Sequence, residues 1–268
     1  MPRTRLDMLL SLFLVLILVF TLTGCSDDDN PASPAGETAP VLPETEALNF
    51  NFSFFDAADD LQGAKTEGEY DNFINAYLRV TFLDLVAHLV LAPPVTAFGT
   101  ALHTPPSLQD DGSWIWVYTH VDGAEEVQIR LRGLPVDDGV EWEMIVTFDD
   151  VNNEVWFVGT THDDGDTGSW TFFDVENAPS LAVAEISWGE GEAGRFLLFE
   201  VLAGDDDGDT LEFTDGNPRF AVDHLDASTG NELNIIWWAD GHGSLVTPEY
   251  NEGALACWDT DYLNVVCE

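Results

Sequence analysis

The stretch Trp114-Ile-Trp-Val-Tyr-Thr-His-Val-Asp-Gly-Ala-Glu-Glu-Val-Gln-Ile-Arg-Leu-Arg132 decides the fold. Trp114, Trp116 and Tyr118 occupy alternate positions, Val127, Ile129 and Leu131 do the same, and Asp122-Gly123 stands between the two runs. Successive side chains along a strand point to opposite faces, so a period of two marks a strand with one buried face. Asp-Gly supplies the left-handed backbone that a tight hairpin turn requires. The segment therefore reads as two antiparallel strands.

The pattern continues toward the C-terminus. Trp142, Met144, Val146 and Phe148 share one face, as do Phe220 and Val222. The runs Val155 to Val158, Phe196 to Leu202 and Leu233 to Trp238 are apolar at consecutive positions and read as strands covered on both sides. Turn signals separate them at Asp138-Gly139, Asn152-Asn153, Asp164-Gly165, Gly189 to Gly194, Asp207-Gly208, Asp215-Gly216 and Asp240-Gly241. Counting runs between turns gives about 10–12 strands, the spacing of an all-β sandwich or barrel. Sequential hairpins favour a mainly β, antiparallel up-and-down meander, forming either a barrel or a strongly bent sheet. Closure would remove edges that otherwise invite aggregation.

Working back toward the N-terminus, Phe50, Phe52 and Phe54 alternate with polar residues, so 49–55 reads as a further strand. Residues 70–91 lack Gly and Pro and place Phe73, Tyr77, Val80, Leu85 and Leu89 at helical spacing before Pro93-Pro94. This predicts one N-terminal helix over about 70–91 packed on the sheet. Arg79, Asp84 and His88 interrupt it too often for a membrane span.

The chain has 268 residues, 45% of them hydrophobic, and a formal net charge of −42 from 50 acidic and 8 basic residues. That apolar content suffices for a packed core and excludes a disordered tail. The charge repels phosphate backbones and anionic headgroups, which excludes nucleic-acid partners. With one lysine, Lys65, and Asp-rich turns, the composition looks like adaptation to high external salt, where counterions screen carboxylate repulsion.

Arg3 and Arg5 precede Met8 to Leu22, in which only Ser11 and Thr21 are polar, and Asp27, Asp28 and Asp29 follow closely. That is the layout of a secretory signal peptide, too short for a span of about 20 residues. Leu22-Thr23-Gly24-Cys25 resembles the lipobox of bacterial lipoproteins at all four positions. The resemblance implies removal of residues 1–24, lipidation of Cys25, and a chain anchored in the cell envelope, by family analogy at the outer membrane. Residues 25–46, punctuated by Pro31, Pro34, Pro40 and Pro43, read as a tether. At about 3.1 Å per residue in polyproline-like form, it would reach roughly 60 Å. Residues 47–268 are then expected to form a single β-rich domain.

With Cys25 assigned to lipid, Cys257 and Cys267 remain and most simply form one disulfide in an exported domain. The run Gly189-Glu-Gly-Glu-Ala-Gly194 matches G-x-G-x-x-G, yet Arg195-Phe-Leu-Leu-Phe-Glu-Val reads as strand where a dinucleotide site needs a helix. No cofactor is expected. Asp205, Asp207 and Asp209 take the first, third and fifth places of a calcium loop, but Thr210 and Gly216 stand where Gly and Glu belong. Solvated turn residues are the favoured reading of that run.

Nine Trp include the pairs Trp114/Trp116 and Trp237/Trp238, which are candidate stacking surfaces for a sugar or apolar ligand. The same residues carry the strand periodicity, which favours the core. The six His show no zinc spacing, and no nucleophile elbow or phosphate loop is present. Glu141 and Glu143 share a strand face, as a carboxylate-pair hydrolase of envelope polysaccharide would require, but such pairs are common in so acidic a chain. The sequence thus favours a non-enzymatic, membrane-anchored binding or interaction domain with an envelope protein or glycan as partner. A β-barrel carrier of a small ligand and a hydrolase are the alternatives.

Overall fold

The computed structural model of the protein describes residues 38–42, 52–57, 68–122, 125–148, 151–162 and 165–267. The segment 1–24, Cys25, most of the 25–46 tether and the start of the 49–55 segment lie outside the described residues.

One long helix, α1 (Asp71–Ala101), is followed by 14 strands. They are β1 (Ser107–Leu108), β2 (Trp114–Asp122), β3 (Glu125–Val136), β4 (Gly139–Phe148), β5 (Val151–His162), β6 (Thr167–Phe173), β7 (Ala182–Gly191), β8 (Gly194–Val201), β9 (Thr210–Asp215), β10 (Arg219–Asp226), β11 (Asn231–Trp238), β12 (Gly243–Val246), β13 (Ala256–Trp258) and β14 (Asn264–Val265). Strand order follows chain order and the ladders are antiparallel. The mainly β meander is therefore as the turns predict, with more strands than expected. β1 and β14, two residues each, are too short to show alternation. Among the described residues β1 and β14 do not pair, so the strand order is not closed into a barrel.

The described residues fall into two compact units, one comprising Leu91–Val183 with residues 38–42, the other Ala184–Glu268 with Leu48–Val90. In the first, Trp114, Trp116, Leu131, Trp142, Met144, Phe157 and Trp170 are all at most 4% exposed. Trp142 is central: its ring lies 5.9 Å from Trp116 and edge-on to Phe98 at 5.4 Å, and its indole N–H donates to Thr161 Oγ1 at 2.8 Å. Gly133, directly across the ladder from Trp142, leaves room for it, since a Cβ there would come within 2.7 Å of the ring.

In the second unit, Leu233, Ile235 and Trp237 point inward while Asn234, Ile236 and Trp238 are half-buried. Here β11 alternates strictly, so it is not covered on both sides as its apolar run implied. Nor are Val155 to Val158 and Phe196 to Leu202 covered on both sides: each run buries one residue, Phe157 and Leu197, and leaves the rest half-buried.

Two further expectations are corrected. Where a strand was read at 49–55, Ser53–Asp56 is a short 3-10 turn. A strand would send Phe54 and Phe55 to opposite faces, whereas the turn brings Phe52, Phe54 and Phe55 together around Trp237 at ring distances of 6.5, 5.8 and 5.1 Å. Three aromatic rings in one core outweigh the local alternation. Secondly, α1 does not stop before Pro93-Pro94 but runs to Ala101. Proline inside a helix removes a hydrogen bond and costs about 3 kcal/mol. Beyond it, however, Phe98 is 1% exposed, stacked on Trp170 at 5.0 Å and set against Phe157 at 5.9 Å. That burial holds the last turns helical.

At its other end, α1 is fastened to the C-terminus. Asn264 of β14 accepts from the Asn72 backbone N–H at 2.9 Å and donates to the Gly68 carbonyl at 2.8 Å. Asn72 in turn donates to the Cys257 carbonyl at 2.7 Å. One of the helix's unpaired first-turn donors is thereby satisfied from 192 residues away. Cys257 and Cys267 are disulfide-bonded across a separation of 10 residues, as expected. On the chain-entropy model a ring of that size stabilises by about 3 kcal/mol. Its place in the fold is to hold the β13–β14 pair that caps α1.

Candidate functional site

The four tryptophans singled out as ligand surfaces separate into two groups. Trp114, Trp116 and Trp237 are 4%, 2% and 2% exposed, buried with their strands' inward faces. They are core residues, so the structure does not present them to a ligand. Trp238, one residue on, points the other way and stacks flat on His242 at 4.3 Å. The His242 Nδ1 lies 2.6 Å from Asp240 Oδ1, and that hydrogen bond lowers the Asp240 carboxyl below its ordinary range. The trio braces the β11–β12 turn.

Asp205, Asp207 and Asp209 do not assemble a cation cage. They sit on the β8–β9 turn, which is held by its own backbone: Gly208 N–H donates to the Val201 carbonyl at 2.8 Å and Asp209 N–H to Asp206 at 3.0 Å. Asp209 caps a neighbouring turn instead, accepting from Ala227 N–H at 2.8 Å. Among the described residues no group of three or more His, Cys, Asp or Glu is arranged to hold a metal. The Gly189–Gly194 run is a hairpin, with Gly191 facing Gly194 and β8 continuing as strand. Gly194 adopts a φ of +119° and lies so close to the Asp215 carbonyl that any side chain would collide with it. Glu143 lies opposite Arg132 on the neighbouring strand, while Glu141 faces Leu134.

Arg132 also takes part in a surface lock in the first unit. Asp111 accepts from the Ser113 hydroxyl at 2.6 Å, the Ser113 N–H at 3.0 Å and Arg132 at 3.1 Å. The Ser113 bonds first, and Arg132 after them, hold its carboxyl down to about 2. A depressed folded pKa stabilises above the unfolded value of 3.8, and the contribution is lost as pH falls toward about 2. The Asp111→Asn variant should therefore melt below wild type at pH 7, and the gap should narrow on acidification through that window. A gap that is constant from pH 7 to pH 2 would contradict the lock.

A cleft that combines apolar and charged groups lies in the second unit and has a volume of about 340 Å³, within the range of small binding sites. On one side is α1. Its residues Phe73, Ala76, Val80 and Leu83 are at most 5% exposed and form the stripe packed on the sheet. Leu78 and Phe82, one turn apart, lie outside that stripe and are 56% and 58% exposed. Phe82, Leu83 and Arg79 line the cleft from this side. Facing them are His224 and Asp226 of β10, Glu232 and Leu233 of β11, and Thr247 and Glu249 after β12. Leu233 and Thr247, at 9% and 5% exposure, form a buried floor.

Arg79 is held in place rather than left to swing. Its Nη1 donates to the Asn75 carbonyl at 3.1 Å and to Asn75 Oδ1 at 3.0 Å, and its guanidinium carbon lies 6.0 Å from the centre of the Tyr250 ring. Tyr250 is fixed by donating to Asn72 Oδ1 at 2.8 Å. Burial, and then the Asp71 charge, push its phenol up while Arg79 opposes them. Glu249, 74% exposed, reaches Arg79 at only 3.8 Å and stays available at the rim. Asp226 accepts from the Ser228 hydroxyl at 2.7 Å and the Thr229 N–H at 3.0 Å, which lowers its pKa. Sequence reasoning noted Arg79 only as a charge within a helix and Leu233 only as part of an apolar run, and passed over Phe82, Glu232, Thr247 and Glu249. The available signal was an aromatic off the buried stripe. No protein-family model matches the chain, and comparison with curated proteins and with solved structures returns no match.

Proposed function

We propose that this chain is a lipid-anchored binding module of the bacterial cell envelope, non-enzymatic, with a tether between the anchor and the β-rich part. The single observation that carries the binding reading is the solvent-open cleft beside an exposed phenylalanine, on a frame fastened by the Asn72–Asn264 bonds and the disulfide. Rigid frames that present exposed apolar side chains are what recognition surfaces require. The lipobox residues Leu22-Thr23-Gly24-Cys25 support the anchor. A mature lipoprotein cysteine carries more than one acyl chain, which is what stable anchoring takes.

Against catalysis stands the chemistry of the cleft. Arg79 is engaged by Asn75, and Asp226 accepts the bonds of its own turn. The Ser228 hydroxyl that Asp226 accepts does not line the cleft.

The test is fractionation of cells expressing the full chain. Wild type is expected almost entirely with the membranes and released by detergent, whereas Cys25→Ser is expected to lose that lipid-dependent retention. Equal detergent partitioning of lipid-labelled wild type and variant would overturn the anchor.

A further inference from the structure

We propose that the α1–β11 cleft takes a basic amphipathic peptide segment of a protein partner, an apolar side chain seated against Phe82 with flanking Lys or Arg meeting the rim carboxylates. This rests on the binding-module reading and names the chemistry of its partner.

Three observations converge on it. The apolar contact surface is present: Phe82, more than half exposed, lines the cleft beside the buried Leu83 and Leu233, and Leu78, also more than half exposed, lies one turn before it on α1. Carboxylates outnumber the cation: Asp226, Glu232 and Glu249 line the cleft with Arg79 and the titratable His224, and Arg79 is already bonded to Asn75 and close to Glu249. The surrounding field has the same sign, since the chain carries −42. A carboxylate, phosphate or anionic lipid entering the cleft would meet net repulsion, and a purely apolar ligand would leave the rim charges unmatched. A second copy of this equally acidic chain is excluded by the same field. A basic segment with an aliphatic or aromatic residue satisfies both features, and electrostatic attraction would speed its encounter.

The experiment uses the full processed chain in zwitterionic lipid nanodiscs, with empty nanodiscs as control. Fluorescence anisotropy measures binding of three labelled ten-residue peptides, alternating Lys-Leu, Lys-Ser and Glu-Leu. The Lys-Leu peptide is expected to bind tightest. Phe82→Ser should weaken it about tenfold, and Glu232→Gln and Glu249→Gln about threefold each, with a smaller loss at high salt. The doubly substituted Glu190→Gln/Glu192→Gln control, on the β7–β8 turn, should bind like wild type.

Equal binding of the Lys-Ser peptide would remove the apolar contact and overturn the proposal. So would an equal loss in the β7–β8 control, which would mean only the overall field acts, or preference for the Glu-Leu peptide. Absence of peptide binding by chain that fractionates with membranes would remove this cleft assignment while leaving the anchor intact.

Discussion

Trp142→Ala is expected to destabilise the protein by about 3–5 kcal/mol, the range for emptying a large aromatic from a packed core. Trp142 is 2% exposed and touches Phe98 and Trp116 through its ring. Its removal leaves Thr161 Oγ1 buried without the indole donor at 2.8 Å, an added cost. The neighbourhood cannot collapse cheaply, because Trp170 and Phe157 are already stacked at 5.3 Å and fixed by their own strands. The conservative Trp142→Phe change should cost less but still lose the hydrogen bond. Gly133→Ala supplies an independent check, since a methyl group 2.7 Å from the indole must displace it. Urea denaturation measures all three. A Trp142→Ala variant within 1 kcal/mol of wild type would show that this ring is not central to the first unit's core.

Trp237→Ala is the second large effect, and it discriminates between two roles. If Trp237 were a ligand platform, its loss would impair binding and spare stability. The structure instead surrounds it with Phe54 and Phe220 stacked at 5.8 and 5.6 Å, Phe55 edge-on at 5.1 Å and Phe213 at 6.2 Å. A loss of about 3–5 kcal/mol is expected, with the 3-10 turn at Ser53–Asp56 released first because its Phe54 and Phe55, and Phe52 just before it, meet at this ring. Trp238→Ala, whose ring is half-buried and contacts His242, should cost far less. Comparable denaturation midpoints for the two variants would contradict the assignment.

That contrast shows what the residues disclosed and what they did not. Alternation named Trp114, Trp116 and Trp142 as sharing inward faces, and Asp-Gly dipeptides marked many of the hairpins, because both signals are local. The helix end was not local: Pro93-Pro94 is a strong stop, and the burial of Phe98 among Trp142, Phe157 and Trp170 outweighs it. The 49–55 segment failed for the same reason, since Phe52 and Phe55 answer to Trp237, far along the chain. The cleft was the least legible feature. Arg79, Glu232 and Glu249 are ordinary surface residues in sequence, and they acquire a shared role only where α1, β11 and the segment after β12 meet. Phe82 was readable in principle, being one turn from Leu78 and off the Phe73–Val80 stripe.

The anchor itself is tested most directly by the intact mass of the chain extracted from membranes of a bacterium expressing the full sequence. The account predicts a chain that begins at Cys25, heavier than its unmodified residues by a lipid group on that cysteine and lighter by two hydrogens for the Cys257–Cys267 bond. A chain that retains Met1, or one that carries Cys25 as an unmodified thiol, would contradict it.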